Sequence, residues 1–194
     1  MDLATRLRLK RPISVIGADD GPFVRGAGTP VPLCATLCRD GRLRSLAMST
    51  LTEDGFDATE SLIALTQRRA LKGQAALILT DGLTMGGLNP LDLGALHEAS
   101  GLPCIAALRR PPDLDAFFAL VDRLPEAPRR RAALGSAGPL RQRDGRCFHA
   151  VGLDEGLAAE LLGQLTLEGQ VPEPLRLAHL IVGATVMGEP GSRA

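Results

Sequence analysis

The chain has 194 residues, of which 45% are hydrophobic and 23% are charged, as is usual for a globular domain. Its 22 basic and 22 acidic residues cancel, so the total charge creates no long-range attraction to nucleic acid or to anionic lipid. A polyanionic partner must therefore be bound by local clusters of basic side chains. The length predicts a single domain over residues 1–194.

The cysteines and the lengths of the apolar runs indicate in which cellular compartment the protein is expected. The four cysteines, Cys34, Cys38, Cys104 and Cys147, lie in apolar surroundings, and no second pair completes a zinc signature. They are predicted to be buried free thiols of a reducing compartment. The basic N-terminus lacks the apolar segment of a signal peptide, and no run approaches the roughly 18 apolar residues of a membrane span. We therefore expect a cytoplasmic protein with no membrane partner.

The first third of the chain predicts three strands followed by a helix. Short apolar runs indicate strands over 13–18, 33–38 and 43–51. The Asp40-Gly41 dipeptide between the last two is typical of a tight hairpin, which predicts an antiparallel meander. The period then becomes helical over 57–71, where Asp57 and Glu60 have the spacing of a capping box.

The remaining elements alternate between strand and helix. Apolar runs predict strands over 75–80, 103–108 and 147–151, and amphipathic patterns predict helices over 114–124 and 154–165. Asn89-Pro90 predicts another helix start, with proline at the first helical position. The segment 125–146 is rich in Pro, Gly and Arg and is expected to be an exposed linker, with Arg129, Arg130 and Arg131 solvated. A last helix over 174–187 is apolar on nearly every side, which makes a homodimer interface one interpretation. The order of elements predicts an α/β fold.

Acidic residues recur where the predicted strands end or the predicted helices begin. They are Asp19, Asp20, Asp54, Asp57, Asp81 and Asp92. Ligand crevices of open α/β sheets form at strand ends, and carboxylates that meet there repel one another unless a divalent cation compensates them. Hard oxygen ligands suit Mg²⁺ or Mn²⁺, and such clusters typically serve phosphodiester chemistry.

For three of the six residues, a role in a helix cap, a first helical turn or a loop turn is an alternative to a ligand site. Asp57 has the spacing of a helix cap, Asp92 of a first-turn residue below an Asn89 cap, and Asp54-Gly55 of a turn. Spacing alone leaves both roles open for them. Asp19 and Asp81 directly follow buried strands, where an unpaired charge would be costly, so a ligand site is favoured for these two. The three histidines are scattered and predict no histidine ligand set.

Four segments, in consistent order, resemble the endonuclease dU family, formerly catalogued as domain of unknown function ninety-nine. They are IGADDGPF at 16–23, DGFDAT at 54–59, DGLTMGGLNPLD at 81–92 and PLRLAHL at 174–180. That family is similar to endonuclease V. The resemblance implies a ribonuclease H-like fold with a five-stranded mixed sheet, its first three strands antiparallel, flanked by helices. It also implies a metal-dependent endonuclease that cuts DNA at or near deaminated bases, here deoxyuridine.

The resemblance also assigns roles to individual residues. Asp19, Asp57 and Asp81 match the catalytic carboxylates that hold Mg²⁺ or Mn²⁺ and a water, with Asp20 as a further metal ligand. The expected substrate-binding residues are Gly86, Gly87, Asn89, Asp92, Arg109 and Arg110, the two arginines contacting phosphate. Endonuclease V has a histidine a few residues after its Asp-Gly, whereas this chain has Met85, Gly86 and Gly87 there. Lesion recognition or water activation must therefore differ.

Two other functions remain open at this point. A non-catalytic nucleic-acid-binding or scaffolding protein of the same fold agrees with the zero net charge, the missing histidine and the few aromatic residues. An actin-like phosphotransferase would also place a strand before Asp-Gly, but the chain shows no second phosphate loop of that kind and is short for two lobes.

Overall fold

The computed structural model describes residues 2–26 and 28–190. The helices are α1 (Leu3–Arg8), α2 (Ala58–Thr66), α3 (Leu93–Ser100), α4 (Leu114–Val121), α5 (Ala127–Gly135), α6 (Glu155–Leu165) and α7 (Glu173–Met187). The strands are β1 (Ser14–Asp20), β2 (Val31–Arg39), β3 (Arg42–Leu51), β4 (Leu77–Asp81), β5 (Thr84–Met85), β6 (Asn89–Pro90), β7 (Cys104–Leu108), β8 (Arg141–Arg143) and β9 (Arg146–Val151).

One mixed sheet forms the centre of the molecule. Within the described ranges it has seven strands in the order β3-β2-β1-β4-β7-β9-β8, and β5 and β6 form a separate ribbon. Strands β1, β2 and β3 pair antiparallel, β1, β4 and β7 pair parallel, and β9 lies antiparallel to both β7 and β8. The α/β class is therefore confirmed, but the expected count of five strands is wrong.

Of the two strands beyond the expected five, β9 matches the strand predicted over 147–151, whereas β8 lies where the chain was expected to be a linker. Residues 125–146 remain largely exposed, yet they form α5 and β8, and the hairpin to β9 extends the sheet. Asp144 and Gly145 both have positive φ, as a tight two-residue hairpin requires. Arg130 and Leu134, one helical turn apart, are buried on α5. The linker expectation is wrong because one narrow face of an otherwise polar helix is buried.

The sheet is covered by helices on both faces. Ile16, Ala18 and Ile78 pack in a core with apolar residues of α2 and α3. Val15, Leu77 and Ile105, which alternate with them, pack with residues of α1, α6 and α7. Burial on both faces explains why these strands are continuous apolar runs. The four cysteines are free and buried, as expected.

The hairpin of β2 and β3 is confirmed, since Asp40 and Gly41 both have positive φ. The predicted helix start at Asn89-Pro90 is wrong, because these residues form β6, and α3 begins at Leu93 with Asp92 as its cap. Asn89 is fully buried, and its side chain bonds other parts of the chain. No helix in the described part of the chain is long and apolar enough to cross a lipid bilayer.

Candidate active site

Asp19 and Asp81 are brought together by the parallel pairing of β1 with β4. Ala18 is opposite Thr80 in this pairing, so the next residue of each strand, Asp19 and Asp81, follows at the same edge of the sheet. Alternation along the strands directs both side chains to the face that carries α7. Asp19 is only 6% exposed, so its charge requires compensating partners.

The principal partner of Asp19 is His179 of α7. Its Nδ1 lies 2.9 Å from Oδ2 of Asp19, and Oδ1 of Asp19 accepts a hydrogen bond of 2.9 Å from the backbone N–H of Asp20. Both oxygens of this buried carboxylate are therefore hydrogen bonded. The hydrogen bond to Asp19 raises the pKa of His179 above its ordinary value, which favours the charged imidazolium.

The start of α7 is fixed against β1 and β2, which determines where His179 lies. Thr36 Oγ1 donates to the carbonyl of Pro174 at 2.8 Å and lies 3.2 Å from the carbonyl of Gly17. A Cβ at Gly17 would collide with the backbone of Pro174. Only glycine permits this approach, so Gly17 is required for the placement of the helix.

Arg109 is the cation next to Asp81. It follows β7 directly, and its Nη2 lies 3.6 Å from Oδ2 of Asp81. Asp81, Arg109 and Gln170 line a small cleft that opens beside this pair. Arg110, the next residue, is exposed. Parallel alignment of β4 and β7 thus delivers the predicted phosphate-binding Arg109 to the carboxylate end of β4.

The acidic residues of this group repel one another. Burial and the neighbouring Asp19 raise the pKa of Asp20 to about 6, although a backbone hydrogen bond from Gly86 acts in the opposite direction. Burial and Asp19 also raise the pKa of Asp81, while Arg109 and His179 oppose that shift. We call Asp19, Asp20, Asp81, Arg109 and His179 the acidic cluster. Its carboxylates carry more negative charge than its cations neutralise.

Asp57 is hydrogen bonded to Thr52 and Asn89 and not to members of the acidic cluster. Its two carboxylate oxygens accept hydrogen bonds from the backbone N–H and the hydroxyl of Thr52, and Asn89 Nδ2 lies 2.6 Å from its Oδ1. Although Asp57 occupies the position before α2, its side chain makes no cap hydrogen bond, so the predicted capping box with Glu60 is wrong. Asp57 instead joins two loops.

These two loops are residues 52–57, between β3 and α2, and residues 86–89, before α3. Asp54 N–H donates to the Gly86 carbonyl at 2.9 Å, and Asp54 Oδ1 accepts from the Leu88 N–H at 2.7 Å. The side chain of Asn89 accepts from Ala58 N–H and donates to the Thr52 carbonyl. We call the two segments together the paired loops. They contain the predicted substrate-binding residues Gly86, Gly87 and Asn89.

Gly87 is a second position where only glycine fits. Its φ is +88°, and a Cβ there would collide with the Asp54 carboxylate. Asp92 is not a first-turn residue below an Asn89 cap: it is itself the cap of α3, since its Oδ1 accepts from Ala95 N–H at 2.8 Å. The structure thus gives Asp92 a helix-capping role.

The fit of these residues to a divalent cation is partial. Over residues 2–26 and 28–190, no three His, Cys, Asp or Glu side chains are grouped so as to hold a metal ion. The expected convergence of Asp19, Asp57 and Asp81 is therefore not seen. Asp19 and Asp81 nevertheless provide what Mg²⁺ or Mn²⁺ prefers, since carboxylates are hard oxygen ligands.

Sequence reasoning missed two residues of this region, His179 and Arg130. The wide spacing of the three histidines in the sequence gives no indication that His179 joins Asp19, although His179 lies within the PLRLAHL segment on which the family resemblance partly rests. Arg130 falls in the expected linker, whereas in the structure it is 4% exposed with its guanidinium against the paired loops. No local signal separates it from Arg129 and Arg131.

Comparison with known proteins identifies the family. The sequence profile of endonuclease dU matches residues 11–186. The chain belongs to the endonuclease dU family. A curated relative, the UPF0215 protein of Methanothermobacter thermautotrophicus, is 33% identical over 187 residues, covering 94% of this chain and 92% of the relative.

Two solved structures relate the fold to endonuclease V. A protein of unknown function from Archaeoglobus fulgidus has a TM-score of 0.83 at 25% identity, covering 90% of this chain and 98% of that one. Endonuclease V of Ciona intestinalis, in complex with a 24mer DNA containing an inosine followed by a ribo-adenosine, has a TM-score of 0.53 at 12% identity, covering 88% of this chain and 84% of that one. The chain therefore has an α/β fold similar to that of endonuclease V.

Proposed function

We propose that this protein is a metal-dependent endonuclease that cleaves DNA at or near deaminated bases, with deoxyuridine as the first candidate lesion. The observation that carries the proposal is the pairing of buried Asp19 with His179 beside Asp81. Membership of the endonuclease dU family and the endonuclease V-like fold support a nuclease, and the DNA-bound endonuclease V supports DNA as the partner.

Asp19 and Asp81 would hold Mg²⁺ or Mn²⁺, with Asp20 adjacent to them. When bound there, the cation lowers the pKa of a water and stabilises charge on the departing oxygen. Two carboxylates are enough protein ligands for Mg²⁺, which usually keeps several waters and binds substrate phosphate. We keep Asp57 as a candidate ligand on the family resemblance alone, since its present contacts are with Thr52 and Asn89.

In this proposal His179 is the general acid, which carries the proton that is transferred to the leaving oxygen. Asp19 occupies its Nδ1, which fixes the ring orientation and leaves Nε2 as the position for proton exchange. Its raised pKa keeps the imidazolium populated closer to neutral pH, as a general acid requires. In this proposal it protonates the leaving oxygen, and Asp19 orients it.

Arg109 binds the phosphate. It is the cation beside Asp81, and a guanidinium pairs with two phosphate oxygens at once. Arg110 is the adjacent exposed residue for the next phosphate, and the paired loops would contact the base or backbone near the lesion. The second candidate, a non-catalytic nucleic-acid-binding protein, is favoured by one observation, namely that no three-ligand metal group forms among the described residues.

The decisive experiment is a cleavage assay with matched variants. Single- and double-stranded oligonucleotides carrying deoxyuridine, deoxyinosine or normal bases are incubated with Mg²⁺, Mn²⁺ or EDTA. The proteins are the wild type, Asp19→Asn, Asp81→Asn and the control Asp154→Asn. Asp154 caps α6 through Leu157 N–H, a role that asparagine fills equally well.

Metal-dependent cleavage of the deoxyuridine substrate, lost in Asp19→Asn and Asp81→Asn and kept in Asp154→Asn, would support the proposal. Metal-independent binding without cleavage would support the non-catalytic alternative instead. Hydrolysis of nucleoside triphosphate without DNA cleavage would return the actin-like phosphotransferase to consideration.

A further inference from the structure

Arg130 is a buried cation whose hydrogen bonds are made to main-chain carbonyls. It is 4% exposed, and its guanidinium makes four such bonds. Nε donates to Pro125, Nη1 to Gly55 and Leu88, and Nη2 to Asp54, over distances of 2.6 to 3.0 Å. Its Cζ also lies 4.3 Å from the ring centroid of Phe56. A buried charge is costly, so its surroundings must be well organised to hold it.

These carbonyls belong to three separate segments of the chain. Asp54 and Gly55 are in one of the paired loops, Leu88 is in the other, and Pro125 precedes α5. One planar group therefore fixes the separation of the paired loops and ties both to α5. Lysine would not reproduce this arrangement, because its three donors radiate from a single nitrogen, whereas guanidinium presents its donors in a rigid fork.

The paired loops need such a constraint. Asp54 has a φ of +50° and Gly86 a φ of +58°, in the left-handed region that non-glycine residues rarely adopt. Glycine adopts this region freely, but a non-glycine residue such as Asp54 persists there only where its surroundings hold it. Asp57, Gly87 and Asn89, in the same loops, present the groups that resemblance assigns to the site. Their relative positions therefore depend on the anchoring of the loop backbones.

We propose that Arg130 is a positioning residue that sets the geometry of the paired loops for substrate binding, an inference that rests on the proposed nuclease function. It acts through the carbonyls of Asp54, Gly55 and Leu88 and does not contact DNA. Asp19, Asp81 and His179 lie outside the paired loops, and Asp57 is a ligand candidate on the family resemblance alone, so we expect the loss of Arg130 to change binding more than the chemical step.

The test compares two adjacent arginines of α5, Arg130 and Arg131. Arg130→Lys keeps the positive charge but loses the planar guanidinium. Arg130→Met has a similar length but no hydrogen-bond donor. Arg131→Met is the control, because its exposed side chain pairs with Asp122, away from the paired loops. Arg129 is not used as a control, because its Cζ lies 4.4 Å from the ring centroid of Phe56 in the paired loops. Each protein is measured for kcat and KM on the deoxyuridine oligonucleotide and for its thermal midpoint.

We expect both Arg130 variants to raise KM about tenfold or more, with kcat within about twofold of wild type, as for loss of substrate positioning. The control variant Arg131→Met keeps both constants. A purely structural role would instead lower the thermal midpoint without changing KM, and that result would overturn the inference. Equal losses in kcat and KM for Arg130→Lys would overturn it as well.

Amide hydrogen exchange separates this inference from the proposed function. If the wild type cleaves no substrate, the proposed function fails, and exchange alone decides the role of Arg130. Faster exchange confined to the paired loops in Arg130→Lys, absent from Arg131→Met, upholds the positioning role. Unchanged exchange, or faster exchange throughout the chain, contradicts it. Arg130→Lys is the variant chosen here because it retains the buried charge should Arg130→Met fail to fold.

Discussion

The imidazole of His179 is hydrogen bonded to the carboxylate of Asp19 at 2.9 Å, although the two residues are 160 positions apart. One lies on a central strand, and the other lies on the last described helix. The carboxylate is buried and the imidazole is half-buried, so their interaction is shielded from much of the solvent. This pair distinguishes the acidic cluster from a set of solvated surface aspartates.

Replacing His179 by glutamine should reduce cleavage by about 10²-fold or more, the usual contribution of a general acid. The thermal midpoint should also fall, because the buried carboxylate of Asp19 loses its principal partner. His97→Gln is the control, since His97 bonds the Leu102 carbonyl away from the acidic cluster. Single-turnover rates on the deoxyuridine oligonucleotide provide the measurement. Wild-type rates in His179→Gln would remove this residue from the proposed mechanism.

Gly17→Ala tests whether the packing of α7 against β1 determines the position of His179 in the acidic cluster. The added Cβ collides with the Pro174 backbone, so α7 must shift and carry His179 away from Asp19. We expect a loss of about 1–3 kcal/mol in the free energy of unfolding, as for other overpacked sites, and a lower cleavage rate. Gly135→Ala is the matched control, because nothing lies within 4 Å of its Cβ position. Urea denaturation and the cleavage assay report the two effects.

The raised pKa of Asp20 predicts that the free energy of unfolding in EDTA falls as pH rises. Asp20 binds its proton more tightly in the folded chain, where its pKa is about 6 against an ordinary 3.8, so its charging opposes folding across this window. Between about pH 5 and pH 7.5 this costs about 1 kcal/mol. The raised pKa of His179 acts in the same direction, since its stabilisation is lost as pH rises through its folded value.

Asp20→Asn should flatten this pH dependence. Asp122→Asn should leave it unchanged, because Arg131 lowers the pKa of the exposed Asp122 and its contribution is lost only at more acidic pH. Urea denaturation at the two pH values gives the comparison. A slope in Asp20→Asn equal to that of wild type would show that Asp20 is not the group responsible.

Asp92 offers a test between helix capping and contact with substrate. Asp92→Ala should lose about 1 kcal/mol of stability, whereas Asp92→Asn should lose little, because asparagine caps helices as well as aspartate does. Since Oδ1 of Asp92 is engaged by Ala95 N–H, we expect Asp92→Asn to keep its activity. A stable but inactive Asp92→Asn would restore the substrate-binding role expected from the resemblance.

Most strands and helices were predictable because their signals are local. Asp40-Gly41 specifies a hairpin, and continuous apolar runs specify strands that are buried on both faces. The neighbouring positions of Asp19 and Asp81 followed from the rule that parallel strands place their carboxyl ends at one edge. The ribonuclease H-like assignment stays a prediction.

The predictions that the structure contradicts failed for one reason: contacts between distant parts of the chain override the local sequence pattern. Asn89-Pro90 has the local pattern of a helix start, but the buried amide of Asn89 is bonded to Thr52, Asp57 and Ala58 from a distant segment. Asp57 was expected to cap its own helix or join Asp19, and Thr52 and Asn89 engage it instead. Arg130 is identical in type to both neighbours, so only the folded chain distinguishes it.

The dependence of Asp19 on a helix near the end of the chain has a consequence for incomplete synthesis. A polypeptide terminated by a premature stop codon before α7 would contain every aspartate of the acidic cluster and lack the imidazole that pairs with Asp19. Under the proposed function such a product would be unable to nick the genome.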